Sequence, residues 1–409
     1  MVRLLTGHRR SIEGRRSARR QVAAVAATMA ATTLMGITTA ASARPVVRGD
    51  MAKTVAVASR TTTLTGLHLF KIDGRRFGVR RIVHVLEFNG PQFSLQIGLA
   101  HHAIDGGRQT PGTMCRTTVG CVAAVNGDFF DWTPRGQPDP ADEVGGITRD
   151  CVLLHTPEVS HQQVDLDGQS VSGGFNWTST LDVNGVSVPI TAINQQLPMS
   201  YVQVHLPLTG TLLFTWPYAL RTPVAGGRAT YVFTAVDTAV SPTTINATAE
   251  LSYVAETTKA VLVVPGQVAI SAAVGSPLSS LVPGDTVSLT TTSTAGCDSI
   301  GGHPILLDHG IANPVNPADT YMTRPYARTV IGWTASGATV LMTVDGTDGV
   351  SGATASQLVR LLRSIDVVTA LDLDGGNSTT LYARGRVLNR PSHGTERRVS
   401  TALLVVKGP

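Results

Sequence analysis

From Leu67 onward, apolar residues recur at the short spacings of extended chain. Val79 to Phe88 sets Val and Ile among polar residues, and Phe93 to Leu99 alternates apolar and polar with period two, as half-buried strands do. The middle, 156–295, continues in this way. Its Val/Thr-rich runs, such as Tyr231–Val240 and Thr286–Thr292, are separated by turn signals at Gly173-Gly174, Asn184-Gly185, Gly226-Gly227 and Pro283-Gly284-Asp285. One stretch has a different period. Thr354-Ala-Ser-Gln357 has the form of a capping box, and Leu358, Leu361, Leu362 and Ile365 follow at i, i+3, i+4 and i+7. The pattern predicts a helix between strands at Thr339–Val344 and Val367–Leu373. The second strand would end at Asp374, with Gly375-Gly376-Asn377 as a tight turn. The expected fold class is α+β, mostly antiparallel β-sheet with few helices.

Composition supports a folded chain: 42% of the 409 residues are hydrophobic and only 15% charged. The formal charge of +5 is misleading. Residues 1–43 hold seven arginines (Arg3, Arg9, Arg10, Arg15, Arg16, Arg19, Arg20) and one acid, Glu13. Removing them from 33 basic and 28 acidic residues leaves 26 and 27, a net charge of −1. Nucleic-acid binding needs a basic folded surface, so no nucleic-acid partner is expected. The leader itself reads as a secretory signal peptide over 1–43. Arg15 to Arg20 form a positive region, Val22 to Met35 an apolar one, and Ala41-Ser-Ala43 a small-x-small cleavage site. A flexible segment over 44–65 and one catalytic domain over 66–409 would follow, secreted or wall-associated, with no stable membrane insertion after cleavage.

Four cysteines follow the leader, where disulfides persist. Cys115 and Cys121 are close enough for a local loop, and Cys151–Cys297 would close a long one. A zinc site is the alternative, but it lacks a paired C-x-x-C spacing.

Four runs place polar side chains and glycines at strand ends. Val125-Asn-Gly-Asp-Phe-Phe130 offers an amide, a carboxylate and two aromatic walls, or else an Asn-Gly turn over a core. Ser299-Ile-Gly-Gly-His-Pro304 holds His303, a general base or a satisfied structural imidazole. Arg324-Pro-Tyr-Ala-Arg-Thr329 brings Arg328 to a strand start, where a guanidinium can hold phosphate through two parallel hydrogen bonds. Asp372-Leu-Asp374-Gly-Gly-Asn-Ser-Thr-Thr380 puts two carboxylates on one strand face, where mutual repulsion raises one pKa unless a cation is near.

Together these runs resemble the phosphodiester glycosidase family. The resemblance rests on Asn126-Gly-Asp-Phe-Phe130, Gly301-Gly-His-Pro304 with Leu306-Leu-Asp-His-Gly310, and Arg328-Thr-Val-Ile-Gly332. It continues in Leu371 to Thr380, Asn389-Arg-Pro-Ser392 and Val399-Ser-Thr-Ala-Leu403. It covers about 120–155 and 296–406 well, and the middle loosely. It departs from the family at Asn377, where Gly is frequent, and at Asp128, where some members have Gly. The resemblance implies an exported hydrolase that cleaves a sugar from a phosphodiester at its anomeric carbon, acting on cell-wall or exopolysaccharide material with a phosphate-linked carbohydrate as partner. Its leaving phosphate is already stable as an anion, so the demand for a strong general acid relaxes. On this reading Asp374 is the catalytic carboxylate, Arg328 holds phosphate, and Asn126, Ser378 and Thr379 hydrogen-bond the substrate. Gly375 and Gly376 offer backbone N–H groups. Asp128, Gly302, His303, Thr329 and Asp372 line the site. No cofactor is required; a structural calcium ion stays open, without EF-hand spacing. Two rival readings are a non-catalytic wall-polysaccharide binding protein and a metal-dependent phosphodiesterase using Asp372 and Asp374.

Overall fold

The computed structural model of the chain describes residues 57–76, 79–132, 141–157, 161–195, 210–347 and 351–408. The leader and the first residues of the expected flexible segment lie outside these. The end of that segment, Val57–Leu64, is a strand paired antiparallel with Leu67–Arg76.

Those two strands begin an eight-stranded antiparallel sheet. It continues through Val79–Phe88, Thr339–Val344, Arg328–Thr334, Val367–Asp372, Ile305–Asp308 and Ile311–Ala312. The register Val330↔Asp372 between neighbouring strands sets the C-terminal end of one beside the start of the other. A five-stranded sheet places Cys121–Asn126 between Leu381–Ala383 and Thr401–Lys407. Another holds Ser299–Gly302 between Gln162–Asp165 and Ile147–Arg149.

The Val/Thr-rich middle closes on itself. Seven strands between Trp177 and Ser293 form a barrel in which the last strand, Thr286–Ser293, pairs back to the first, Trp177–Val183. Alternation decides which residues fill it: Val287, Leu289 and Thr291 are buried, while Thr286, Thr290 and Thr292 face out. Only one of its strand pairs, Val186–Ile193 with Thr211–Thr215, is parallel. Chain enters and leaves the barrel at one place, where the Thr294 N–H donates to the Asn176 carbonyl at 3.0 Å.

The α+β expectation is therefore corrected: the molecule is mostly β. Among the described residues the α-helices are Pro111–Thr117, Thr320–Thr323 and Ala355–Arg363. The strand–helix–strand period at 339–373 suggested a larger helical share, but beyond it only the short helix Pro111–Thr117 lies on a sheet, the one holding Cys121–Asn126, and strands make up the rest of the packing among the described residues. The predicted helix itself is present with its capping box: Thr354 accepts from the Gln357 N–H and Gln357 from the Thr354 N–H. It buries Leu358, Leu361 and Leu362 in a core beneath the eight-stranded sheet, each contributing about 1.5–3 kcal/mol. Cys115 is bonded to Cys121 and Cys151 to Cys297. No helix among the described residues is long and apolar enough to cross a membrane.

Candidate active site

The strand Val367–Asp372 runs buried to its end, then opens at Asp374, which is half-buried. Asn126 fixes this opening. It is wholly buried, and its Nδ2 donates to the Asp374 carbonyl at 2.6 Å. Its Oδ1 accepts from the Thr329 hydroxyl at 2.7 Å and the Thr380 N–H at 3.1 Å. The Asp374 N–H donates to the Gly127 carbonyl, and the Tyr321 hydroxyl donates to the Leu373 carbonyl at 3.0 Å. Three elements thus clamp one short stretch of backbone, leaving the Asp374 carboxylate at the lip. Burial pushes that carboxyl up to about 7, against the Ser378 hydroxyl, the nearby Arg397 charge and the Gly375 N–H; Asp128 adds to the rise.

Arg328 and Asp372 form a separate, buried pair. Nη1 of Arg328 lies 2.6 Å from Oδ2 of Asp372, and both side chains are 0% exposed. The other donors go to backbone: Nε to the Ala353 carbonyl at 2.9 Å, Nη2 to those of Tyr321 and Arg324. The Tyr321 ring stacks on the guanidinium with its centroid 4.0 Å away. The phosphate-holding role read for Arg328 is corrected accordingly: its fork is occupied by protein groups, and it positions the turn rather than touching a ligand. Asp372 is likewise held inside, so the two acids of the D-x-D run have different partners.

The glycine turn is also self-satisfied. The Gly376 N–H donates to the Ala327 carbonyl, and the N–H groups of Ser378 and Thr379 donate back to the Gly375 and Gly376 carbonyls. Gly376 therefore offers no free N–H donor, whereas the Gly375 N–H is turned to the Asp374 carboxylate; a Cβ on Gly375 would lie 2.6 Å from the Tyr321 hydroxyl. Thr379 is buried, and Gly302 packs against Leu371 and the Asp372 carbonyl.

Beside Asp374 stand two imidazole–carboxylate pairs. His303 Nε2 lies 2.6 Å from Asp319 Oδ2, and His161 Nε2 lies 3.0 Å from Asp128 Oδ1. The rings are 6.5 Å apart, on a wall completed by Phe129 and Tyr321. Burial pulls His161 down, but the Asp128 carboxylate outweighs it and holds the imidazole above its ordinary value. Burial raises Asp319, and the His303 ring and two backbone N–H groups outweigh that, leaving it below the usual carboxylate range. Asp128 Oδ2 lies between Gly145 and Gly301, where a Cβ on either would come within 2.2 Å of it. This close approach is what the double glycine before His303 serves.

All twelve residues read from the sequence fall in this network. Arg397, Tyr321, His161, Asp319, Phe130 and Trp132 complete it. Arg397 lies just before the Val399–Leu403 run, and Phe130 inside the first run, so proximity to those runs is the signal that points to them. His161 sits in a polar stretch with no pattern around it.

A family model described as phosphodiester glycosidase matches residues 234–406. Over that stretch, which is less than half of the chain, the sequence is similar to the phosphodiester glycosidase family. A bovine (Bos taurus) N-acetylglucosamine-1-phosphodiester alpha-N-acetylglucosaminidase is 36% identical over 86 residues, spanning 19% of this chain and 16% of that protein. Two crystal structures share the fold. A hypothetical protein from Synechocystis matches with a TM-score of 0.67 and 19% identity, over 87% of this chain and 65% of its own. A protein from Burkholderia pseudomallei matches with 0.62 and 19%, over 84% and 76%. Of the candidate site, Asp372 to Arg397 and His303 to Arg328 lie inside the matched stretch, whereas Asn126, Asp128 and His161 come from outside it.

Proposed function

We propose that the chain hydrolyses the bond between a sugar's anomeric carbon and a phosphodiester, on exported cell-wall or exopolysaccharide material. One observation carries the reading: a half-buried carboxylate, Asp374, stands at the lip of a buried strand with its backbone clamped from both sides. The match of residues 234–406 to the phosphodiester glycosidase family model supports glycoside hydrolysis of a sugar phosphodiester as the reaction class. The Arg-rich leader and two disulfides support export.

In this mechanism Asp374 attacks the anomeric carbon or takes a proton from the water that does. The C–O bond breaks, and its electron pair leaves with the phosphate. A carboxyl pushed to about 7 is well matched to such a proton transfer near neutral pH. Asn126, Arg328, Tyr321 and Asp372 act through position: they hold the turn that presents the acid.

The test uses N-acetylglucosamine 1-(methyl phosphodiester), the sugar taken from the bovine relative's name. Wild type should release free sugar, and Asp374→Asn should keep the fold and lose at least about 100-fold in rate. In heavy-oxygen water the label should appear on the sugar. Label on phosphate would instead mean P–O cleavage, and binding without release would mean a non-catalytic protein; either outcome overturns the reading.

A further inference from the structure

Arg397 differs from the other arginines that pack at the site. It is half-buried, yet among the described residues no carboxylate lies within ion-pair distance of it, whereas Arg328 is paired with Asp372. One hydrogen bond holds it, from Nη1 to the Ser378 hydroxyl at 3.0 Å. Its guanidinium carbon lies 5.2 Å from the centroid of Phe130 and 5.7 Å from that of Trp132, a ring that is 53% exposed. Nε and Nη2 make no hydrogen bond within the described protein.

A half-buried guanidinium with no ion-pair partner keeps a donor edge that an anion can take. The Nε–Nη2 edge is one of the two forks that match two oxygens of a tetrahedral anion. Stacked rings favour a planar cation and limit its rotation before the ligand arrives. Ser378 and the Arg397 charge both lie close enough to Asp374 to lower its carboxyl, and the Ser378 hydroxyl accepts from Arg397, so cation and acid share one corner of the site. The anion that Arg397 receives is therefore adjacent to the carbon that Asp374 serves.

We propose that Arg397 is the specificity-determining residue of this site: its Nε–Nη2 edge takes the phosphodiester anion next to the scissile bond, with Phe130 and Trp132 holding the guanidinium for it. The proposal rests on the glycosidase reading above and names the group that makes an anionic diester a better substrate than a neutral glycoside.

The experiment compares the methyl phosphodiester of N-acetylglucosamine 1-phosphate with neutral p-nitrophenyl α-N-acetylglucosaminide, using the full chain. Arg397→Met should lower kcat/KM on the diester by about 10- to 100-fold, the range of a lost charged hydrogen-bond pair, largely through KM. The loss on the neutral glycoside should be at least about tenfold smaller. Arg397→Lys, which keeps the charge without the fork, should fall between. Competitive inhibition by inorganic phosphate should weaken by about tenfold or more in Arg397→Met. Equal losses on both substrates, or unchanged phosphate inhibition, overturn the assignment. If wild type turns over neither substrate, the glycosidase reading falls and takes this one with it; if wild type cleaves the diester and Arg397→Met does so equally well, only the Arg397 assignment falls.

Discussion

Asp374 is rigid in backbone and open in side chain, and its ionisation is the property most directly read by experiment. Burial raises its pKa to about 7, so the carboxylate form grows as pH rises through that value. The proposed mechanism uses the ionised form. kcat/KM should therefore fall on the acid side of about 7, approaching tenfold per pH unit. Arg397 pulls that pKa down, so Arg397→Met should move the acid limb to higher pH; a limb that stays in place or moves down would contradict the coupling. A pH–rate profile of the two proteins checks both statements. At this scale the sequence was informative wherever a polar residue ended an apolar run: Asp374, Asn126 and His303 are all of that kind. It was misleading for Arg328, because a strand start does not reveal whether a guanidinium faces a ligand or the interior. Tyr321, Asp319 and His161 lie in stretches with no periodicity, so their convergence is set by tertiary packing alone.

The buried Arg328–Asp372 pair ties two adjacent strands and the helix-capping segment at Ala353 together. Removing one partner leaves the other charge in a dry interior, which costs about 3–5 kcal/mol. Arg328→Met should lower stability by about that amount in denaturant unfolding, with an unchanged slope. Arg328→Met/Asp372→Leu should cost less than the sum of the two single changes, because neither charge is then left alone. Full additivity would mean the pair is not coupled. The elements themselves were largely legible: the helix from its stripe and capping box, and the half-buried strands from alternation. Pairing was not. Nothing in the period of Cys121–Asn126 shows that its partners are Leu381–Ala383 and Thr401–Lys407, more than 250 residues on. The α+β expectation failed for the same reason: a local helix signal says nothing of how many sheets it must share the molecule with.

At the scale of the whole molecule, the family match and the physical unit do not coincide. The match starts at residue 234, inside the barrel strand Arg228–Ala235, and it omits Cys121–Asn126 from the centre of a sheet. A fragment of 234–406 should show no cooperative thermal transition and no turnover, as circular dichroism and the diester assay would report; a sharp transition would show that those residues fold alone. The divergent middle read from the sequence is this barrel, inserted between Gln162–Asp165 and Ser299–Gly302, which pair with each other. Its turn signals were visible, but closure is a property of ring-wide pairing that no single turn encodes. That closure also governs how copies of the molecule meet. A strand hydrogen-bonded on both sides has no backbone groups to offer a neighbour, so none of the seven barrel strands can seed edge-to-edge association. The eight-stranded sheet keeps two edges. One, Ile311–Ala312, is too short to template a partner although Ile311 is 73% exposed. The other is Val57–Leu64, and with Phe93–Leu99, an edge of the five-stranded sheet, it offers the long open backbone row at which strand-to-strand association between copies should begin.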